Sequence, residues 1–186
     1  MSLYWRAFPW DERARPGSPF SPSHVPASTG RGRFDLPVDR SAVLYLAETP
    51  EHAVAELLQP WRNRPLRAAH LVRGGHPLAL VSVALDDARA GLPLDLCDPE
   101  RLTEIQARAD EIASRERDRT QRVALRVWTA EHPGLRWWSV FGGDWHGVAL
   151  FESRVKRALV FGNPEPITLQ SLPLRAAAAS LGMDVA

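Results

Sequence analysis

Apolar and polar positions fall in short blocks along the chain, separated by proline- and glycine-rich breaks. Residues 3–8, LYWRAF, read as a first strand in which Arg6 stands among Tyr4, Trp5 and Phe8. Residues 9–30 carry many Pro, Ser and Gly and predict an irregular loop, either a binding loop or a disordered one. The apolar run Val43–Ala47 predicts a strand. Thr49-Pro50 then predicts a helix start, because the hydroxyl can cap free N–H groups and Pro at the first position lacks only a donor that would be unpaired anyway. That helix carries Glu56 on its second turn and is broken by Pro60 and Pro65.

Leu66–Val72 and Leu78–Leu85 read as two strands joined by a turn at Gly74-Gly75, and Leu92–Leu96 as a short extended piece. Asp98-Pro99 opens a charged helix over about 101–116, with Leu102, Ile105 and Ile112 as a thin buried stripe. A second helix spans Thr120–Glu131 and ends at His132-Pro133-Gly134. Strands over 135–139 and 147–152 flank a loop at Gly142-Gly143, with Ser139 near its mouth, and Ala158–Phe161 adds a last strand. Residues 163–186 hold prolines and an Ala-rich short helix, and read as a C-terminal tail, at best partly ordered, on a domain of residues 1–162.

Composition narrows the class. A chain of 186 residues with 45% hydrophobic and 24% charged residues is an ordinary globular protein. The net charge of +1 gives little attraction for nucleic acid. Nearly all cations are arginine, Lys156 being the only lysine. Cys97 is the single cysteine, which excludes an intrachain disulfide and any multi-cysteine zinc site. The N-terminus has no apolar signal-peptide core and no stretch approaches a membrane span, so a cytoplasmic protein is expected.

The 6 histidines show no metal-binding spacing, and no metal is expected. Nucleophile-elbow, P-loop and dinucleotide-fold glycine motifs are lacking, which removes support for serine hydrolase, P-loop and Rossmann chemistry. Tyr45 lies in mid-strand and Glu56 at the border of an apolar helix stripe, where a carboxylate is costly unless paired or used. Periodicity alone favours a solvated Glu56. Arg6 either keeps its head in water or meets an anion in a cleft, and the pattern favours water.

Taken in order, LYWRAF with Arg6, GRGRF with Arg33, LYLAETPEHAVAE with Tyr45 and Glu56, DRTQ at 118–121, GLRWWS with Ser139, and GVALFES resemble the RES domain family of bacterial toxins. The resemblance implies an α+β fold, an ADP-ribosyltransferase-like split β-sheet core with surrounding helices. It also implies a toxin of a type II toxin–antitoxin pair that takes NAD⁺ as substrate, without a bound cofactor, and cleaves the nicotinamide–ribose bond. The acceptor is water or inorganic phosphate, making a glycohydrolase or phosphorylase. Alternatives are an ADP-ribosyltransferase with a protein target and a non-catalytic binding or regulatory member. An Xre-like helix-turn-helix antitoxin is the expected partner. By the same resemblance Glu56, Ser139 and Tyr45 serve catalysis; Arg6 and Arg33, with Arg31 as the alternative, hold the pyrophosphate, and Tyr45 borders the nicotinamide. Asp35, where the family often has Asn, and Trp137-Trp138, where it has Tyr-Pro, depart from the pattern. An added acid near a pyrophosphate site weakens anion binding unless Arg31 offsets it.

Overall fold

The computed structural model describes residues 1–185. Its strands are β1 (Ser2–Pro9), β2 (Val43–Ala47), β3 (Val72–Arg73), β4 (His76–Leu85), β5 (Leu94–Asp95), β6 (Gly134–Trp138), β7 (His146–Phe151), β8 (Leu159–Phe161) and β9 (Glu165–Pro166). The helices are α1 (Pro50–Leu58), α2 (Asp87–Ala90), α3 (Pro99–Glu104), α4 (Ala109–Ala113), α5 (Arg117–Thr129), α6 (Glu152–Val155) and α7 (Leu172–Ser180). The fold is α+β. None of the described helices is long and apolar enough to cross a membrane.

The strands lie in the order β3-β4-β1-β2-β7-β6-β5. In one half β1 runs antiparallel to β4 from Ser2↔Leu85 to Pro9↔Leu78, and the far edge of β4 is filled in turn by β3, β9 and β8. In the other half β2, β7 and β6 are antiparallel neighbours and β5 adds in parallel to β6. The halves are laddered through one pair, Trp5↔Ala47. Beyond it β1 and β2 part, and the sheet is split.

Alternation along the strands sorts the core. Leu44, Leu46, Val148 and Leu150 join Tyr4, Phe8, Val81 and Val83 in one cluster, while Val43, Ala149 and Phe151 share another with Leu102 of α3, Ile112 of α4 and Val123 and Val127 of α5. A third cluster packs α1 and α7 together through Val54, Leu58, Leu174 and Ala178.

Three expectations are corrected. The helix over 101–116 is two short helices, α3 and α4, separated by a break in which Gln106 takes φ 53°. A continuous helix would put Ile105 and Ala107 on opposite faces, whereas the break buries both together with Leu102 and Ile112. The strand over Leu66–Val72 is a 3-10 turn, Ala68–Leu71, leading into the two-residue β3, because only Leu66 and Leu71 are buried and their spacing does not fit a pleat. Residues 163–185 are structured: β9 pairs with β4, and α7 buries Leu174, Ala177 and Ala178 beside α1.

Candidate active site

The split opens a cleft of about 760 Å³, within the range of small-molecule sites. Arg6 from β1, Arg31 and Arg33 from the loop before β2, Tyr45 from β2, Glu56 from α1 and Ser139 after β6 all line it. The sequence-predicted residues therefore converge on one cavity from five places along the chain.

The arginine loop is fixed from within and from outside. The buried Asp35 carboxylate accepts the Gly32 N–H at 2.9 Å and the Tyr45 hydroxyl at 3.0 Å. The same hydroxyl accepts the Phe34 N–H at 2.9 Å. Gly32 is required at this turn, since a Cβ there would lie 2.1 Å from Asp35 Oδ1 and 2.5 Å from the Tyr45 hydroxyl. From outside, Gln121 donates to the Gly30 and Gly32 carbonyls, each at 2.9 Å, and the Thr120 hydroxyl donates to the Arg33 carbonyl. The DRTQ segment thus has a task that spacing did not disclose. Trp137 supports the loop by packing on Phe34 at 4.7 Å between ring centroids, edge-on to Tyr45.

Asp35 is therefore not a free negative charge facing the cleft. It is used by the loop's own donors. Tyr45 has its hydroxyl committed to the loop, and burial next to the Asp35 carboxylate pushes its ionisation well upward. It can border a ligand with its ring but has no spare proton to transfer.

The arginines differ in what they have left to give. Arg6 donates one N–H to the Pro22 carbonyl at 2.8 Å, so the turn-rich loop 9–30 folds back over it, and burial lowers its pKa to about 10. Arg33 donates to the Ile112 carbonyl and leaves its buried Nε unpartnered. Burial lowers its pKa as well, and attraction to Glu56 opposes the shift. Among the described residues neither forms an ion pair, and Arg31 stands exposed at the rim. Two desolvated guanidinium groups with unspent donors favour an anion between them. Arg73, which sequence reasoning did not single out, lines the same wall.

Helix α1 begins as its sequence predicts, with Thr49 accepting the His52 N–H at 3.2 Å. It presents Glu56 half-exposed, and Oε1 lies 3.2 Å from Nε2 of His52. His52 is not among the residues the sequence assigns to the site, although a histidine four residues before a carboxylate shares its helix face. The Ser139 hydroxyl accepts the Phe141 N–H at 3.2 Å, and its backbone N–H donates to the Trp145 carbonyl at 2.7 Å. It caps the glycine loop, and among the described residues its hydroxyl proton is given to no protein acceptor. Among the described residues no cluster of His, Cys, Asp or Glu could hold a metal ion.

An α+β fold with its sheet split in this manner and its cleft at the parting of β1 and β2 is consistent with the ADP-ribosyltransferase-like core that the resemblance implies. The family follows from the sequence: residues 3–174 match the RES domain, and the chain belongs to that family. Among solved structures it is similar to the MbcT toxin in the M. tuberculosis MbcT–MbcA toxin–antitoxin complex, with a TM-score of 0.60 and 17% identity over 94% of this chain and 86% of that one. No match is found among curated protein sequences.

Proposed function

We propose that the cleft binds NAD⁺ and cleaves its nicotinamide–ribose bond, as the toxin of a toxin–antitoxin pair. The observation that carries this reading is the convergence, in one cleft, of two partly buried arginines without an ion-pair partner among the described residues and one accessible carboxylate. Arg6 and Arg33 hold the pyrophosphate, since a guanidinium fork matches phosphate oxygens. When the bond between ribose C1′ and the pyridinium nitrogen breaks, its electron pair neutralises that nitrogen, so the leaving group needs no acid. One carboxylate then suffices: Glu56 accepts a ribose hydroxyl proton in a hydrogen bond and stabilises the positive charge developing at C1′. Ser139 donates to a ribose oxygen or to the nicotinamide amide, and the Tyr45 ring borders the base. Water or inorganic phosphate adds at C1′ to give ADP-ribose or its 1′′-phosphate.

The likeness to a chain from a toxin–antitoxin complex supports an antitoxin partner; in this reading the partner is an Xre-like helix-turn-helix protein that covers the cleft. Nicotinamide release from NAD⁺ by purified protein, with and without phosphate, tests the reading beside Glu56→Gln. Release that depends on phosphate identifies a phosphorylase, and release without it a glycohydrolase. The substitution, at a half-exposed site that leaves folding intact, is expected to lower turnover by about 10²-fold or more. No release from folded protein, or full release by the variant, overturns it.

A further inference from the structure

His52, in contact with the cleft residue Glu56, is a buried titratable side chain, 1% exposed, and both its ring nitrogens face oxygen atoms that accept hydrogen bonds. Nδ1 lies 3.1 Å from the backbone carbonyl of His146 on β7, and Nε2 lies 3.2 Å from Glu56 Oε1. A carbonyl oxygen has no proton to give, so the hydrogen at Nδ1 belongs to the ring. A neutral imidazole then has only a lone pair at Nε2, aimed at a carboxylate oxygen. That contact is repulsive unless a further proton lies between the two atoms. The face of the ring stacks on Trp145 at 5.4 Å and 24°, an aromatic surface that suits a cation.

We propose that a doubly protonated His52 is the positioning residue for Glu56, gripping Oε1 through a charge-assisted hydrogen bond so that Oε2 faces the ribose. The inference rests on the reading of the cleft as an NAD⁺-cleaving site and deepens it. The imidazole bridges two parts of the fold, since its anchor is a carbonyl of the sheet and its load is a carboxylate on a helix. Glu56 itself is 49% exposed and has no other protein hydrogen bond among the described residues, so without the grip it is free to turn into solvent.

The charges around the pair are accounted for. Arg33 attracts Glu56 from the arginine loop, and Arg6 and Arg73 lie in the same walls. On the sheet side the ring of His146 pairs with Glu48 at 3.2 Å, and Glu48 is in turn held by Arg136 at 2.6 Å. Glu48 is thus committed elsewhere, and the carboxylate within reach of Nε2 is that of Glu56. Loss of the shared proton sets the Nε2 lone pair against the carboxylate and releases Glu56. Turnover then falls while substrate affinity, carried by the arginines, changes little.

The test compares kcat and KM for NAD⁺ across pH in the wild type, His52→Gln and His52→Ala, with imidazole ¹⁵N spectra of the wild type and Glu56→Gln. Both ring nitrogens are expected to carry protons in the wild type at the assay pH, and only Nδ1 in Glu56→Gln. In His52→Gln the introduced amide donates to Oε1 without titrating, so that variant keeps turnover and loses the alkaline limb of kcat. His52→Ala loses about tenfold or more in kcat, with KM little moved. An unprotonated Nε2 in the wild-type spectra overturns the proposal, as does one alkaline limb common to the three proteins. A wild type that leaves NAD⁺ intact sinks the reading of the cleft, while the spectra still decide whether the pair exists.

Discussion

Arg6 projects from the middle of β1 with one N–H committed to the Pro22 carbonyl and, among the described residues, no carboxylate in ion-pair contact. Burial penalises its charged form and lowers its pKa to about 10. Because the folded state lowers the affinity for that proton, the desolvation cost to stability is present below pH about 10 and is relieved as pH rises from there toward the ordinary arginine range. Anion binding moves in the opposite direction. The affinity for ADP-ribose, followed by titration calorimetry, is expected to fall as pH passes about 10, and Arg6→Ala should bind weakly throughout without that fall. In sequence Arg6 could be read as a strand arginine with its head in water. What the pattern did not contain is the loop 9–30, which turns back and covers it.

At the scale of elements, the arginine loop and the first turns of α5 form one device. Gly32→Ala pushes a methyl group into Asp35 and Tyr45, so the loop has to shift, and the change is expected to cost about 1–3 kcal/mol of stability in urea unfolding. On the proposed reading KM for NAD⁺ rises more than kcat falls, since Arg33 is displaced and Glu56 is not. The strands β1, β2, β4, β6 and β7 and the start of α1 were legible because each is a local matter of periodicity, caps and breakers. The break between α3 and α4 was not, because charges at three- and four-residue spacing run across it and only the burial of Ala107 forces it. The six expected site residues were found through order and resemblance. Their supports were hidden, because Thr120 and Gln121 act on residues 87 to 91 positions away and His52 is held by a carbonyl 94 positions away. Such partnerships exist only after folding.

For the whole molecule, the segment beyond 162 matters to the site without touching it. Helix α7 packs on α1, whose next face presents Glu56, so the C-terminal apolar residues help to hold the carboxylate in place. Leu174 is fully buried there, and Leu174→Ala is expected to lower stability by roughly 2–5 kcal/mol in urea unfolding. Loss of NAD⁺ cleavage should follow the unfolding transition and not precede it.

The parting of β1 and β2 after the Trp5↔Ala47 pair has a consequence for recognition. Two strands that separate inside a molecule turn toward each other rows of main-chain donors and acceptors that no neighbouring strand takes up. Whatever lies in the gap meets the peptide groups of both banks as well as the arginines above them. Part of its binding energy is therefore written in backbone, which alanine scanning leaves in place.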